Sequence, residues 1–137
     1  YYYEEINNLL SDRKKDMISV HPFIDRMDLA YAAADVIISR AGAGTISELC
    51  LAGKPVILVP SPNVAGDHQT RNAMALASKD AAVMLSDEIA SGTLVDEALK
   101  LVSDSGRRQK LSKNISELAE HDSDMRIAGE VIKLMRG

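Results

Sequence analysis

Residues 35–60 read DVIISRAGAGTISELCLAGKPVILVP, and this stretch decides the fold. Val36, Ile37 and Ile38 make a short apolar run of the kind a buried strand shows. A glycine-rich turn follows, Ala41-Gly42-Ala43-Gly44, then a helical pattern over residues 45–51 that Ala52-Gly53 ends, then a second apolar run over 56–59. The order is a βαβ unit. Its first turn has lost almost all side-chain bulk where a helix begins. A ligand can therefore approach the backbone there, and the free amides and dipole of a helix start favour an anion such as a phosphate. The competing reading is a tight turn that takes glycine for its geometry and binds nothing, and the turn alone does not choose between them. It is not the dinucleotide fingerprint, because no third glycine follows at the required spacing, and no Walker lysine follows either.

Working outward, residues 1–10 carry apolar or aromatic side chains at 2, 3, 6, 9 and 10, a helical stripe, and the polar run 11–16 reads as a loop. Residues 17–20 predict a short strand that Pro22 brings to an end, and an alanine-rich helix is expected over 27–34. Beyond the second apolar run, 60–67 holds two prolines and a glycine and reads as a loop, a helix is expected from His68 to about Lys79, and a strand over 82–85. Residues 86–91 read as a connector. Three helices should finish the chain: 93–103 capped by Thr93, 107–119 after a break at Ser105-Gly106, and one capped by Ser123 that reaches Met135. This alternation predicts an α/β fold, a Rossmann-like parallel sheet with helices on both faces, followed by a helical C-terminal segment. Such sheets bind ligands beyond the carboxyl ends of their strands, where loops 21–27, 39–44 and 60–69 should lie.

Composition narrows the function. A chain of 137 residues is long enough for one domain that buries roughly 70% of its unfolded surface. A net charge of −4, 4% aromatic residues and no Trp argue against nucleic acid as the partner. Cys50 has no second cysteine to pair with and reads as a small buried apolar residue rather than a nucleophile. There is no apolar run near the ~20 residues of a bilayer span and no visible signal peptide, which fits a reducing cytoplasm. The chain opens on Tyr1-Tyr2-Tyr3 without an initiator Met and ends on Arg136-Gly137, as a piece cut from a longer protein would.

The candidate side chains each have a plain rival role. Ala43, Gly44 and Thr45 offer amides and a hydroxyl to a phosphate. Glu48, one turn beyond Thr45, can accept two hydrogen bonds from the vicinal hydroxyls of a ribose, but Thr45-x-x-Glu48 is also a capping box, and spacing alone favours the box. Gln69 and Asn72 can aim their amides at one point, as suits sugar hydroxyls, with Asp67 as an ordinary N-cap in the rival reading. Arg40 either neutralises a phosphate or pairs with a surface carboxylate. His21, His68 and His121 have no nucleophile or metal-type partner at recognisable spacing, so no catalytic residue is assigned.

The runs SRAGAGTISEL (39–49), GKP (53–55), VP (59–60) and HQT-x-NA (68–73), with HPFID-x-M at 21–27, resemble the C-terminal half of the bacterial MurG-type glycosyltransferase family over essentially the whole chain. The resemblance implies one domain of a two-domain GT-B enzyme that moves N-acetylglucosamine from UDP-N-acetylglucosamine to an undecaprenyl-linked muramyl-pentapeptide in peptidoglycan synthesis. It implies that Ile24 pairs with uracil with Phe23 beside it, that Ala43, Gly44 and Thr45 hold the diphosphate, and that Glu48 binds the ribose. The sugar hydroxyls would fall to Gln69, with His68 and Asn72 nearby. Some members carry a larger residue at position 44, which loosens the contact expected there. The resemblance also implies that the lipid-linked acceptor and the catalytic base belong to an N-terminal domain outside this chain, and that the first strand of the C-terminal domain, with its glycine-rich phosphate loop, is missing from the chain as well. The full-length protein would then be peripheral at the cytoplasmic side of the bacterial inner membrane. No metal and no cofactor are expected, because the dipole of the helix start can take that electrostatic role. A UDP-sugar epimerase half-domain or a non-enzymatic regulatory or assembly domain are the alternatives.

Overall fold

The structure is a computed structural model that describes residues 2–10, 17–62 and 65–136. It divides into two compact units, Tyr1–Ala30 and Tyr31–Gly137. The first holds α1 (Tyr2–Leu9) and the start of α2 (Met27–Ala33), within which the division falls. The expected loop over 11–16 lies outside the described residues. The strand expected over 17–20 does not form: no pairing includes these residues, and Met17 is 82% exposed. A strand exists only as part of a ladder, and an apolar run of four followed by Pro22 supplies the propensity without the partner.

In the second unit β1 (Ile37–Ser39) pairs in parallel with β2 (Val56–Leu58), register Ile37 to Val56 through Ser39 to Leu58, and β2 pairs in parallel with β3 (Val83–Met84). Parallel neighbours cannot be joined by a hairpin. The crossovers are α3 (Ala43–Ala52) and α4 (His68–Ala77), and α5 (Asp87–Ser103), α6 (Ser105–Ser116) and α7 (Ser123–Arg136) follow β3. Among the described residues the sheet therefore has three strands where four were expected, in the predicted parallel sense.

β2 is buried along its whole length and divides the core by strand alternation. Val56 and Leu58 join Leu49 and Cys50 of α3, Ala73 and Leu76 of α4 and Ile115 of α6. Ile57 joins the other cluster, with Leu101 of α5 and Leu111 of α6. Each fully buried Leu or Ile here contributes about 1.5–3 kcal/mol. β1 departs from the buried strand expected: it has a partner on one side only among the described residues, and Ile38 is 47% exposed.

After β3, three helix starts differ from their sequence-based positions. Residues 86–91 are not a connector but the first turns of α5, whose N-cap position is Ser86. Asp87 and Glu88 suit the positive end of that helix, and Gly92 costs only about 1 kcal/mol inside 17 residues. Thr93 is an interior residue whose hydroxyl donates back to the Ile89 carbonyl at 2.9 Å. Ser105-Gly106 opens α6 instead of breaking the chain, because Asp104 caps it by accepting from the Arg107 N–H at 2.8 Å, and the helix ends at Ser116 rather than 119. Ser123 does not cap α7. Its hydroxyl donates to the Glu120 carbonyl at 3.3 Å, and the Arg126 N–H bonds the carbonyl of Asp122, which has φ 58°.

Gly53 ends α3 as expected, in the left-handed conformation (φ 62°, ψ 28°), with its N–H returning to the Leu49 carbonyl at 3.1 Å. A Cβ there would stand 2.6 Å from Ser116 Oγ of α6. Gly53→Ala should therefore lower unfolding stability by about 1–3 kcal/mol through the unfavourable φ and this contact, read as a drop in urea midpoint at unchanged slope. Gly53→Ala paired with Ser116→Ala should recover the contact part of the loss only.

Candidate functional site

The loops that leave the carboxyl ends of β1 and β2 are joined by side chains from α4. Gln69 accepts with Oε1 from the Ser61 N–H at 2.9 Å and the Ala41 N–H at 3.3 Å. Asn72, three residues on and so on the same helix face, donates from Nδ2 to the Ala41 carbonyl at 3.0 Å. The two amides do converge on one point, as their spacing predicted, and that point is the peptide backbone of the fully buried Ala41. Gln69 Nε2 and Asn72 Oδ1 have no partner among the described residues, which leaves each amide one group for a ligand. Arg40 settles into the plain alternative: its Nη1 donates to the carbonyls of Val59 at 3.1 Å and Pro60 at 3.3 Å and pairs with Asp87.

Held in this way, Ala41 hands the chain to α3 two residues earlier than the sequence indicated. The helix starts at Ala43, and Gly42 is the N-cap residue with no side-chain cap. Its first bond runs from the Ile46 N–H to the Gly42 carbonyl at 2.9 Å, so the amides of Ala43, Gly44 and Thr45 lie in the unpaired first turn with no acceptor among the described residues. The capping box is thereby overturned: Thr45 is already inside the helix, and its hydroxyl caps nothing. The tight-turn reading of the glycines fails too. Gly42 has φ −66° and ψ 149°, open to any residue, and a Cβ on it would meet only Thr45 Oγ1 at 3.6 Å. Around Gly44 nothing lies within 4 Å of a Cβ, so a larger side chain fits there as well. The space over the helix start is open, and the dipole makes it favourable for negative charge.

Glu48, one turn along α3, is exposed, and its Oε2 accepts a hydrogen bond from the Tyr31 hydroxyl at 3.1 Å. Tyr31 packs its ring against the main core cluster. Burial, then the hydrogen bond to Glu48 and the charge of that carboxylate, push the phenol pKa up, so it remains a donor. Nothing in the sequence signals this pair, since 17 residues separate the partners and no helical or strand period relates them.

At the start of α4, Gly66 (φ 68°) and Asp67 (φ 54°) are both left-handed, and Asp67 makes no cap bond, so it is not the ordinary N-cap of the plain reading. His68 lies over Gly66, its Nε2 3.0 Å from where a Cβ would stand. A left-handed non-glycine residue costs about 1–2 kcal/mol, and here it falls immediately before α4, two residues from the Gln69 that holds Ala41. Cys50 is buried at 5% exposure and burial pushes its thiol pKa up, which suits packing and not nucleophilic attack. Phe23 and Ile24 belong to the first unit, where they lie outside helix and strand, 77% and 40% exposed.

Comparisons with known proteins agree on one family. The Glycosyltransferase family 28 C-terminal domain matches residues 1–126. The UDP-N-acetylglucosamine--N-acetylmuramyl-(pentapeptide) pyrophosphoryl-undecaprenol N-acetylglucosamine transferase of Parabacteroides distasonis is 54% identical over 135 residues, covering 98% of this chain and 37% of the relative. The protein of the same name from Bacteroides thetaiotaomicron is 51% identical over 135 residues, 98% of this chain and 36% of the relative. Among solved structures, the crystal structure of Acinetobacter baumannii MurG superposes with a TM-score of 0.83 at 29% identity, over 96% of this chain and 38% of that one. The chain thus spans little more than a third of the length of the proteins it matches.

Gln69→Ala would leave two backbone donors, at Ala41 and Ser61, without their acceptor and should cost about 1–3 kcal/mol of stability in urea unfolding. Gln69→Glu keeps an oxygen for both donors and should cost clearly less. Equal losses for the two variants would mean that the clamp is not what Gln69 contributes.

Proposed function

The chain belongs to the glycosyltransferase family 28 C-terminal domain family, and from that premise we propose that it is the donor-nucleotide half of an N-acetylglucosaminyltransferase. The whole enzyme would transfer N-acetylglucosamine from UDP-N-acetylglucosamine to the undecaprenyl-pyrophosphoryl muramyl-pentapeptide, the reaction in the names of its relatives. Those names are of transferases, which speaks against a sugar epimerase or a purely regulatory domain.

The observation that carries the reading is the uncapped start of α3. Three amides and a helix dipole lie beyond the carboxyl end of a parallel strand, with no side chain of their own to satisfy them. The diphosphate of the donor would be held by Ala43, Gly44 and Thr45, the ribose hydroxyls by the carboxylate of Glu48, and the sugar hydroxyls by the free amide groups of Gln69 and Asn72, with His68 at the rim. Uracil selection by Phe23 and Ile24 is a separate part of the proposal. In the reaction an acceptor hydroxyl attacks the anomeric carbon from the face opposite the leaving group, the bond from that carbon to the β-phosphate oxygen breaks, and UDP departs with inversion. Negative charge grows on the β-phosphate as the bond breaks. Fixed amide donors at a helix start stabilise that charge more in the transition state than in the bound donor.

The acceptor, and the base that takes its proton, would be supplied by a second domain, as the relatives' greater length suggests. No helix of the described residues is long and apolar enough to cross a membrane. We propose that its lipid-linked acceptor brings the enzyme to the cytoplasmic face of the inner membrane as a peripheral protein.

Titrating the chain with UDP while recording amide NMR shifts should move the signals of residues 42–48. Glu48→Ala should weaken UDP about tenfold, the worth of a pair of charge-assisted hydrogen bonds partly replaced by water. ADP should bind more weakly than UDP if Phe23 and Ile24 select uracil. Unmoved signals at Gly44 and Glu48 in saturating UDP would end the donor-site reading.

A further inference from the structure

An exposed glutamate on a helix samples several rotamers, and ordering it on a ligand costs about 1–2 kcal/mol of side-chain entropy. Glu48 is exposed, yet its carboxylate is tethered by the Tyr31 hydroxyl. The tether is anchored well. The Tyr31 ring packs against the core cluster that contains Leu49, the neighbour of Glu48 on α3, so donor and acceptor both stand on packed elements of the same unit. With the capping box gone, Glu48 has no role at its own helix start, and among the described residues it forms no ion pair. The choice of partner matters chemically. A lysine or arginine would compete with a diol for several of the carboxylate's lone pairs and screen its charge, whereas a phenol takes a single lone pair of Oε2 and leaves Oε1 and the rest of Oε2 as acceptors.

We propose that Tyr31 is a positioning residue for ribose recognition: its hydroxyl, 3.1 Å from Glu48 Oε2, holds the carboxylate in the one arrangement that accepts both hydroxyls of a vicinal diol. This deepens the donor-site reading and rests on it. Tyr31 touches no ligand itself. It lowers the ordering cost that Glu48 would otherwise meet on binding, so its contribution exists only for nucleotides that carry the diol.

The test compares UDP with 2′,3′-dideoxy-UDP in the 137-residue chain, by NMR titration of the parent, Tyr31→Phe, Glu48→Ala and the double variant, with thermal melts to follow folding. Tyr31→Phe removes one oxygen and keeps the packed ring. It should weaken UDP about three- to tenfold, the range of one net hydrogen bond, and leave dideoxy-UDP unchanged. In the Glu48→Ala background the same substitution should cost nothing further, because the group it positions is absent. Equal weakening of both nucleotides would show that Tyr31 supports the fold of the loop and overturn the proposal, as would no weakening of either. Failure of the donor-site reading looks different: the parent chain would not bind UDP, or Glu48→Ala would bind it as the parent does.

Discussion

The buried peptide of Ala41 is gripped on both sides, its N–H by Gln69 and its carbonyl by Asn72. Buried peptide groups must find partners, and here both come from a helix that follows the next strand. The consequences spread in chain order. Gly42 is set in extended backbone at the end of β1, its carbonyl receives the first bond of α3, and the three amides that follow are left facing outward. The same Gln69 oxygen holds Ser61, so one side chain ties the two loops above the sheet together. Arg40 adds a third tie, from the end of β1 to the end of β2 and to the start of α5.

This arrangement divides the polar residues near the strand ends by task. Arg40 and the inward halves of Gln69 and Asn72 serve the backbone, and they are satisfied without a ligand. The first-turn amides of α3 and the free oxygen of Glu48 are not. A surface of this kind is rigid where it is built and unsatisfied where it faces outward, which is the condition for strong electrostatic binding without reorganisation. Asp67, two residues before Gln69, carries the cost of a left-handed conformation in a non-glycine residue.

Much of the fold was legible because periodicity and punctuation agree in residues 35–60. Two apolar runs, an intervening helical pattern and Gly53 allow one local arrangement, and the comparison with MurG bears out the class of the whole. The local patterns misled where a partner elsewhere decides. Residues 17–20 have strand composition but no ladder. Thr45 and Glu48 have the spacing of a capping box, but the helix had already begun. Thr93 and Ser123 are good caps by residue type, and acidic residues at 87 and 88 and the left-handed Asp122 moved the real starts elsewhere. For the candidate site, the sequence motifs single out residues 43–45, 48, 69 and 72 but do not tell what each of them touches.

What the sequence determined by itself is the succession of strands and helices around β2, the glycine that must end α3, and the family to which the motifs belong. These depend on neighbours within a few residues, whose effects on backbone conformation and burial are set locally. Only the tertiary structure decided that Gln69 and Asn72 turn inward to Ala41, that Arg40 serves the carbonyls of β2, and that Tyr31 holds Glu48. Those contacts join residues 17 to 31 positions apart. Polar side chains of this kind can bond many partners equally well, and packing of the helices on the sheet selects which one comes within reach.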